Sequence, residues 1–173
     1  MWKNPENRAQ FVECVKELLK DPDVRAMEGI RQHKEGISCL DHSIFVAYLS
    51  FLMCRRLGLD FVAAARGGLL HDLYLCKWEE TEVGMWERLV VHPKMALKNA
   101  SKFELSDLEK DIIVKHMWPV TLSLPRHRES VVVSLADKIC TVAELCYIYR
   151  LTKVGEHLGS FLRKRVPNPG FAR

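Results

Sequence analysis

The chain has 173 residues, of which 48% are hydrophobic and 28% are charged, so it can bury the core of one globular domain and is too short to favour two. The formal net charge of +4 comes from 26 basic and 22 acidic residues spread along the whole chain, and no basic stripe for long nucleic acid is predicted. Six cysteines without a C-x-x-C pair favour a reduced, cytoplasmic setting, and no apolar run is long enough to predict a membrane span.

The first elements are predicted to be helices. Apolar residues recur at helical spacing from Arg8 to Lys20, and the sequence DPD at residues 21–23 is expected to end that helix. The segment SCLD at residues 38–41 is a capping box, in which serine and aspartate side chains bond each other's backbone amides. It predicts a long, buried central helix that ends before Gly58, a residue that suits a left-handed C-terminal cap.

Two further segments follow the central helix. Asp60 can cap a helix that is expected to end near residues 73–75. The acidic, aromatic and aperiodic stretch KWEETEVGMWER at residues 77–88 predicts a loop. Pro93 then suits the first position of a helix that reaches about Ala100.

The remaining elements are also predicted to be helical. The sequence SDLE at residues 106–109 is a second capping box, and it opens a helix that Pro119 must end. A long helix is predicted from Glu129 to Tyr149, and a weaker one over residues 152–164. Because no segment alternates with a period of two, the predicted fold class is all-α, a helical bundle.

Several polar side chains fall on apolar helix faces. His42 shares its face with Phe45 and Val46, and His116 is in line with Ile112, so both rings should point into the core. The same pattern holds for three more polar residues, which lie above or among small residues: His71, Asp72 and Asp137. Small residues under these side chains would let neighbouring helices approach closely.

These inward carboxylates need partners. A buried unpaired carboxylate is costly, and two of them beside several imidazoles favour a bound cation. His92 adds to the set, since it directly precedes Pro93 at a predicted helix start, where its ring can project from the helix end. Imidazole with carboxylate is a ligand set of zinc, iron, manganese or nickel. Taken singly, an inward histidine such as His42 or His116 is more often a hydrogen-bonded core residue than a ligand.

The order of these residues resembles the HD-domain superfamily of metal-dependent phosphohydrolases. The similarity runs from Gln32 to Leu145 and includes the stretches QHKEGISCLDHSIFVA, LLHDLYL and RESVVVSLADK, which look like a group of small stand-alone bacterial HD proteins. The resemblance implies a single HD domain over residues 1–173, with its core at 32–145 and helical extensions at both ends.

The resemblance also implies roles for individual residues. His42, His71, Asp72 and Asp137 would hold one metal, and Asp72 would be the bridging and catalytic carboxylate. His92 and His116 match the positions that hold a second metal in two-metal members. The implied cofactors are therefore one or two divalent transition metal ions, of which iron, manganese, zinc and nickel all fit.

The substrate is less well indicated. Three residues after Asp72 the chain has Leu75, where single-metal nucleotidases have an acidic residue and enzymes acting on cyclic dinucleotides have a lysine, so neither assignment transfers. His33 and Lys77 are candidate substrate-binding residues, with a surface or capping histidine and an ordinary exposed lysine as the competing interpretations. No role is assigned to Lys138.

The predicted function is hydrolysis of a phosphomonoester or phosphodiester in a nucleotide or related small molecule by a metal-activated water. The alternative is a non-catalytic HD module that binds a nucleotide or partner protein and uses its metal structurally. Oxidative di-iron chemistry is a third interpretation. The sequence predicts a phosphorylated small-molecule partner, no membrane and no long nucleic acid, and it leaves oligomer formation open.

Overall fold

The computed structural model describes residues 4–32, 37–76 and 81–146, and the regular secondary structure of this part of the chain is helical, as predicted. It contains no β-strand; a single antiparallel bridge joins Arg31 and Ser38. The α-helices formed by these residues are α1 (Pro5–Val15), α2 (Pro22–Ala26), α3 (Cys39–Leu57), α4 (Phe61–Leu70), α5 (Met85–Ala100), α6 (Asp107–Lys115) and α7 (Arg128–Leu145).

The helix caps follow from the local sequence. The Ser38 hydroxyl accepts from the Asp41 backbone amide at 3.1 Å, and the Asp41 carboxylate accepts from the Ser38 amide at 3.2 Å. Gly58 ends α3 with a φ of 68°, a left-handed conformation that favours glycine. Asp60 caps α4, and the predicted capping box at residues 106–109 begins α6. These four sequence predictions are confirmed.

The central helix α3 lies between α4 and α7, and most of its surface is buried. Two glycines of α4 allow this packing. A Cβ atom on Gly67 would lie 2.7 Å from Cγ2 of Ile112 in α6, and one on Gly68 would lie 3.0 Å from the Ala47 Cα in α3. The expected close approach of neighbouring helices is therefore present, and it sets the end of α4 between α3 and α6.

The first predicted helix is wrong in its extent. The helix α1 ends at Val15, and residues 18–20 form a separate 3-10 turn. The sequence DPD also starts a helix, because the Asp21 carboxylate accepts from the Asp23 amide and Pro22 occupies the first position of α2. A motif interpreted as a stop thus acts as a start, since aspartate followed by proline suits a helix N-terminus.

Two other predicted boundaries are wrong. The helix α4 ends at Leu70, before the expected 73–75. The helix α5 begins at Met85, inside the stretch interpreted as a loop, so Pro93 lies in the helix interior and His92 does not lie at a helix start. Proline is tolerated there although it leaves the Leu89 carbonyl without its usual amide donor.

The helix α7 begins one residue before the predicted start. Its predicted end at Tyr149 and the predicted helix at 152–164 lie outside the described residues. Within the described ranges, none of the helices combines the length and the apolar character that crossing a bilayer requires.

Candidate metal centre

Five elements bring the six predicted ligands to one buried place. His42 comes from α3, the pair His71 and Asp72 from the turn that follows α4, and His92 from α5. The remaining two are His116, directly after α6, and Asp137, on α7. All six are buried, with exposed fractions between 0% and 9%. The six residues, predicted from distant segments of the sequence, therefore lie together in the fold.

The first cluster contains His42, His71, Asp72 and Asp137. The Nε2 atom of His42 lies 3.1 Å from Asp137 Oδ1 and 4.0 Å from Asp72 Oδ2. The Nε2 atom of His71 lies 3.4 Å from Asp72 Oδ2 and 3.8 Å from Asp137 Oδ1. Two imidazole nitrogens and two carboxylate oxygens thus face one another, which is the arrangement of a four-ligand metal position.

The second cluster contains His92, His116 and the same Asp72. The Nε2 atoms of His92 and His116 lie 3.4 Å and 3.7 Å from Asp72 Oδ1, and 2.8 Å from each other. Asp72 therefore presents Oδ2 to the first cluster and Oδ1 to the second. Two sets of residues have atoms that could bind a metal within 4.8 Å of one another: His42, His71 and Asp72 form one set, and Asp72, His92 and His116 form the other.

The other ring nitrogen of each histidine is already occupied. The Nδ1 atoms of His71, His92 and His116 lie 2.7–2.8 Å from the backbone oxygens of Gly68, Arg88 and Ile113. Because a carbonyl can only accept, each Nδ1 carries the proton in these three rings and each Nε2 presents a lone pair. The fold thus selects the tautomer that a metal ligand needs.

A cation would satisfy the polar atoms at the centre of the two clusters better than these atoms satisfy one another. Among the described residues, Nε2 of His71 and Oδ1 of Asp72 are buried without a hydrogen-bond partner. The Nε2 lone pairs of His92 and His116 also face each other at 2.8 Å, which is repulsive unless positive charge lies between them. Unpaired buried acceptors are costly, and a shared cation satisfies all of them at once.

The pKa shifts differ between the histidines of the two clusters. Burial and the neighbouring His71 and His92 imidazoles lower the pKa of His116 to about 3, which keeps its ring neutral. Although burial opposes it, the Asp137 and Glu144 carboxylates raise the pKa of His42 to about 10. Burial also disfavours the Asp72 carboxylate, yet the surrounding imidazoles hold its pKa well below the usual range. Asp72 is therefore ionised.

Three polar residues that support the ligands were not predicted. Gln32 Nε2 donates to Asp72 Oδ2 at 2.9 Å, and the Tyr74 hydroxyl donates to Gln32 Oε1 at 3.1 Å, so this pair fixes the shared carboxylate. Glu144 Oε1 lies 2.9 Å from His42 Nδ1. A possible sequence signal for Glu144 is its position seven residues after Asp137, about two turns along the same helix face.

A cavity of about 490 Å³ opens beside the two clusters. Its wall contains Asp72, Asp137 and both histidines of the second cluster, together with three cationic side chains that no sequence argument assigned: Arg31, Arg88 and Lys138. Lys138 Nζ donates to the His116 carbonyl and, at 3.1 Å, to Asp137 Oδ2. Arg88 Nε donates to the Val83 carbonyl at 2.9 Å. The predicted substrate-binding residues His33 and Lys77 lie outside the described residues.

Comparison with known proteins identifies the family. The HD-domain family model matches residues 39–141, and the chain therefore belongs to the HD-domain family, as its sequence pattern indicated. Proteins of this family are generally metal-dependent hydrolases, and the histidine and aspartate clusters could hold such a metal.

Two similar proteins are named Ribonuclease Y. The one from Pseudothermotoga lettingae is 33% identical over 170 residues, which cover 93% of this chain and 31% of the relative. The one from Thermoanaerobacter pseudethanolicus is 33% identical over 133 residues, which cover 73% of this chain and 24% of the relative. The chain thus spans less than a third of the length of these relatives. No solved structure gave a significant match.

Proposed function

We propose that this protein is a phosphohydrolase that cleaves a phosphate ester of a nucleotide or related small molecule and uses one or two divalent transition metal ions. The observation that carries the proposal is the division of one carboxylate between two ligand clusters, with Oδ2 of Asp72 facing His71 and Oδ1 facing His92. His42, His71, Asp72 and Asp137 would hold a first ion, and Asp72, His92 and His116 a second.

The chemistry needs both the ions and the protein groups around them. Bound divalent ions would supply a water of lowered pKa and would offset charge on the phosphate oxygens. Asp72 is held in place for this by the hydrogen bond from Gln32, which Tyr74 in turn orients. The backbone carbonyls behind His71, His92 and His116 keep the Nε2 atoms directed at the ions.

The cavity supports a small anionic substrate. Its volume of about 490 Å³ lies in the range of small-molecule sites. Lys138 is half-buried, and Asp137 and the His116 carbonyl fix its ammonium group at the cavity wall beside both clusters. Arg31 and Arg88 line the same cavity, so phosphate groups would meet positive charge beyond the ligand clusters.

Two chemical classes of substrate are candidates for this cavity. The similarity to proteins named Ribonuclease Y favours a phosphodiester of RNA as a second candidate substrate. Since the chain spans less than a third of those proteins, we place the small nucleotide first and the end of a short RNA second. Both substrates would present a phosphate ester to the same cavity.

The test is turnover of a defined panel after metal reconstitution. We would strip the protein with a chelator and reload it separately with iron, manganese, zinc or nickel. Each form would be assayed for products from mononucleotides, dinucleotides and a short oligoribonucleotide. Turnover that disappears on chelation and returns with one metal is expected. Stoichiometric metal binding without turnover of any ester would instead support the non-catalytic HD module.

Three further features stay predictions under this proposal. They are the single domain over residues 1–173, the cytoplasmic setting, and the contribution of His33 and Lys77 to substrate binding. Substituting either residue with alanine should raise KM more than it lowers kcat if its side chain contacts the phosphate.

A further inference from the structure

Glu144 is a buried carboxylate that the proposed reaction does not use. Its side chain has an exposed fraction of 0%, and it lies on α7, seven residues after Asp137. Oε1 lies 2.9 Å from His42 Nδ1, whereas Oε2 has no hydrogen-bond partner among the described residues. Burying a charged group is costly unless positive charge compensates it. The compensation therefore has to come through His42.

His42 differs from His71, His92 and His116 in the group that lies against its Nδ1 atom. The Nδ1 atoms of those three rings lie against neutral backbone oxygens. The Nδ1 atom of His42 lies against a carboxylate, and its Nε2 atom lies 3.1 Å from Asp137 Oδ1. A carboxylate behind a ligating imidazole fixes its tautomer and increases its basicity, which strengthens the bond to a metal.

The charges around the two clusters are also unequal. The first cluster has Asp137 and its share of Asp72, and Glu144 lies directly behind one of its rings. Among the described residues, the carboxylate in contact with the second cluster is Asp72. Lys138 does not distinguish the clusters, since its ammonium donates both to the His116 carbonyl and to Asp137 Oδ2. Negative charge attracts a divalent ion, so the first cluster, which has more carboxylates around it, should bind the tighter ion.

We propose that Glu144 is a positioning residue that acts through His42. It makes the first cluster the high-affinity ion position and leaves the second cluster as the weaker one. This inference rests on the proposed function, because it requires that both clusters bind ions. The second ion would then exchange with the solution, and the first would remain bound.

The experiment measures ion affinity at the first cluster alone. A His116→Ala background removes the second position, and isothermal titration with Mn²⁺ or Co²⁺ then reports the first. In that background, Glu144→Gln keeps an acceptor for the Nδ1 proton and loses the charge, and we expect affinity to fall about tenfold. Glu144→Ala removes both, and we expect a fall of about 100-fold. The absorption spectrum of bound Co²⁺ should change with it.

A second pair of substitutions separates this role from a structural one. Glu109 is a similarly buried carboxylate, but it pairs with Arg66 and accepts from the Ser106 amide at the start of α6. Glu109→Gln should lower thermal stability without changing ion affinity. Glu144→Asp keeps the charge but withdraws it from His42, so it should weaken binding, and it serves if the glutamine variant does not fold.

The outcomes distinguish this inference from the proposed function. If the Glu144 variants bind ions as tightly as their parent, the inference is wrong while the proposed function stands. If the unsubstituted protein binds no divalent ion at either cluster, the proposed function is wrong, and the inference fails with it. If the Glu144 substitutions weaken ion binding at the second cluster, measured in a His42→Ala background, and leave the first cluster unchanged, the inference is also overturned.

Discussion

The two ligand clusters are built on different parts of the fold. His42 and His71 have exposed fractions of 0% and come from α3 and the end of α4, which pack together at the centre of the molecule. His92 and His116 line the cavity, and His92 comes from α5, whose first half carries exposed apolar residues such as Met85 and Trp86. The histidines of the first cluster are therefore part of the core, and those of the second lie at its edge.

Because of this difference, the first cluster is suited to holding an ion firmly, and the second cluster is suited to placing an ion next to a substrate. Core helices define the first cluster, because moving His42 or His71 would disturb the packing of α3 against α4. The second cluster depends on α5, of which only one face, including His92 and Ala96, is buried. An ion in the second cluster would lie nearer the cavity, where a phosphate group can enter. The comparison can be tested at four points, in order of decreasing effect.

The largest effect should come from Asp72, which joins the two clusters. Asp72→Asn removes the shared charge, and we expect ion binding at both clusters and ester hydrolysis to fall by more than about 100-fold, beyond the usual loss for groups behind a ligand. Metal analysis and turnover after reconstitution measure the two losses. Asp111 provides the matched control, since it is also buried but bonds Ser130 and the Arg126 amide. Asp111→Asn should lower stability and retain the ions, and a similar ion loss in both variants would contradict the assignment.

The next test separates the clusters from each other. His116→Ala should leave about one ion per chain, because the first cluster keeps its full set of side chains. His42→Ala should remove the tighter ion and lower total affinity more. Metal content after dialysis against a weak chelator gives the stoichiometry. Equal losses in the two variants would show that the clusters do not differ as their surroundings suggest.

Metal removal tests whether the clusters stabilise the fold. An ion that binds only the folded chain adds about 2.7 kcal/mol at a concentration 100 times its Kd. For a chain of this length that corresponds to a rise in Tm of about 5–10 °C. Thermal unfolding with and without chelator measures this shift, and a Tm that is independent of metal would contradict binding at the buried clusters.

The smallest effects should come from the two glycines of α4. A methyl group on Gly67 would meet Ile112 at 2.7 Å, four residues before His116, and one on Gly68 would meet the Ala47 backbone at 3.0 Å in α3. Each alanine variant should lose about 1–3 kcal/mol of stability through overpacking. Gly67→Ala should affect the second cluster more and Gly68→Ala the first, as read by ion affinity.

Gly29→Ala is the control for both glycine variants, since nothing lies within 4 Å of the added methyl group. Chemical denaturation should show its stability unchanged within about 1 kcal/mol. If Gly67→Ala proves as harmless as Gly29→Ala, the close contact between α4 and α6 does not support the second cluster.

The sequence by itself determined the helical class and the caps at Ser38, Asp60 and Ser106, because these features depend on short-range spacing, which the order of residues records directly. The six candidate ligands were predicted from inward helix faces together with the resemblance to the HD-domain family. The start of α5 could not be predicted in the same way. Its acidic and aromatic first turns resemble a loop, and Pro93 resembles a helix start, but the buried face that includes His92 and Ala96 keeps the whole segment helical.

Only the tertiary structure decided which atoms face each other. The division of Asp72 between two clusters, the carboxylate of Glu144 behind His42, and the Lys138 ammonium beside Asp137 all join groups from different helices. Their partners are set by helix packing rather than by residue order, because a helical repeat fixes the face of a side chain but not the element that covers that face.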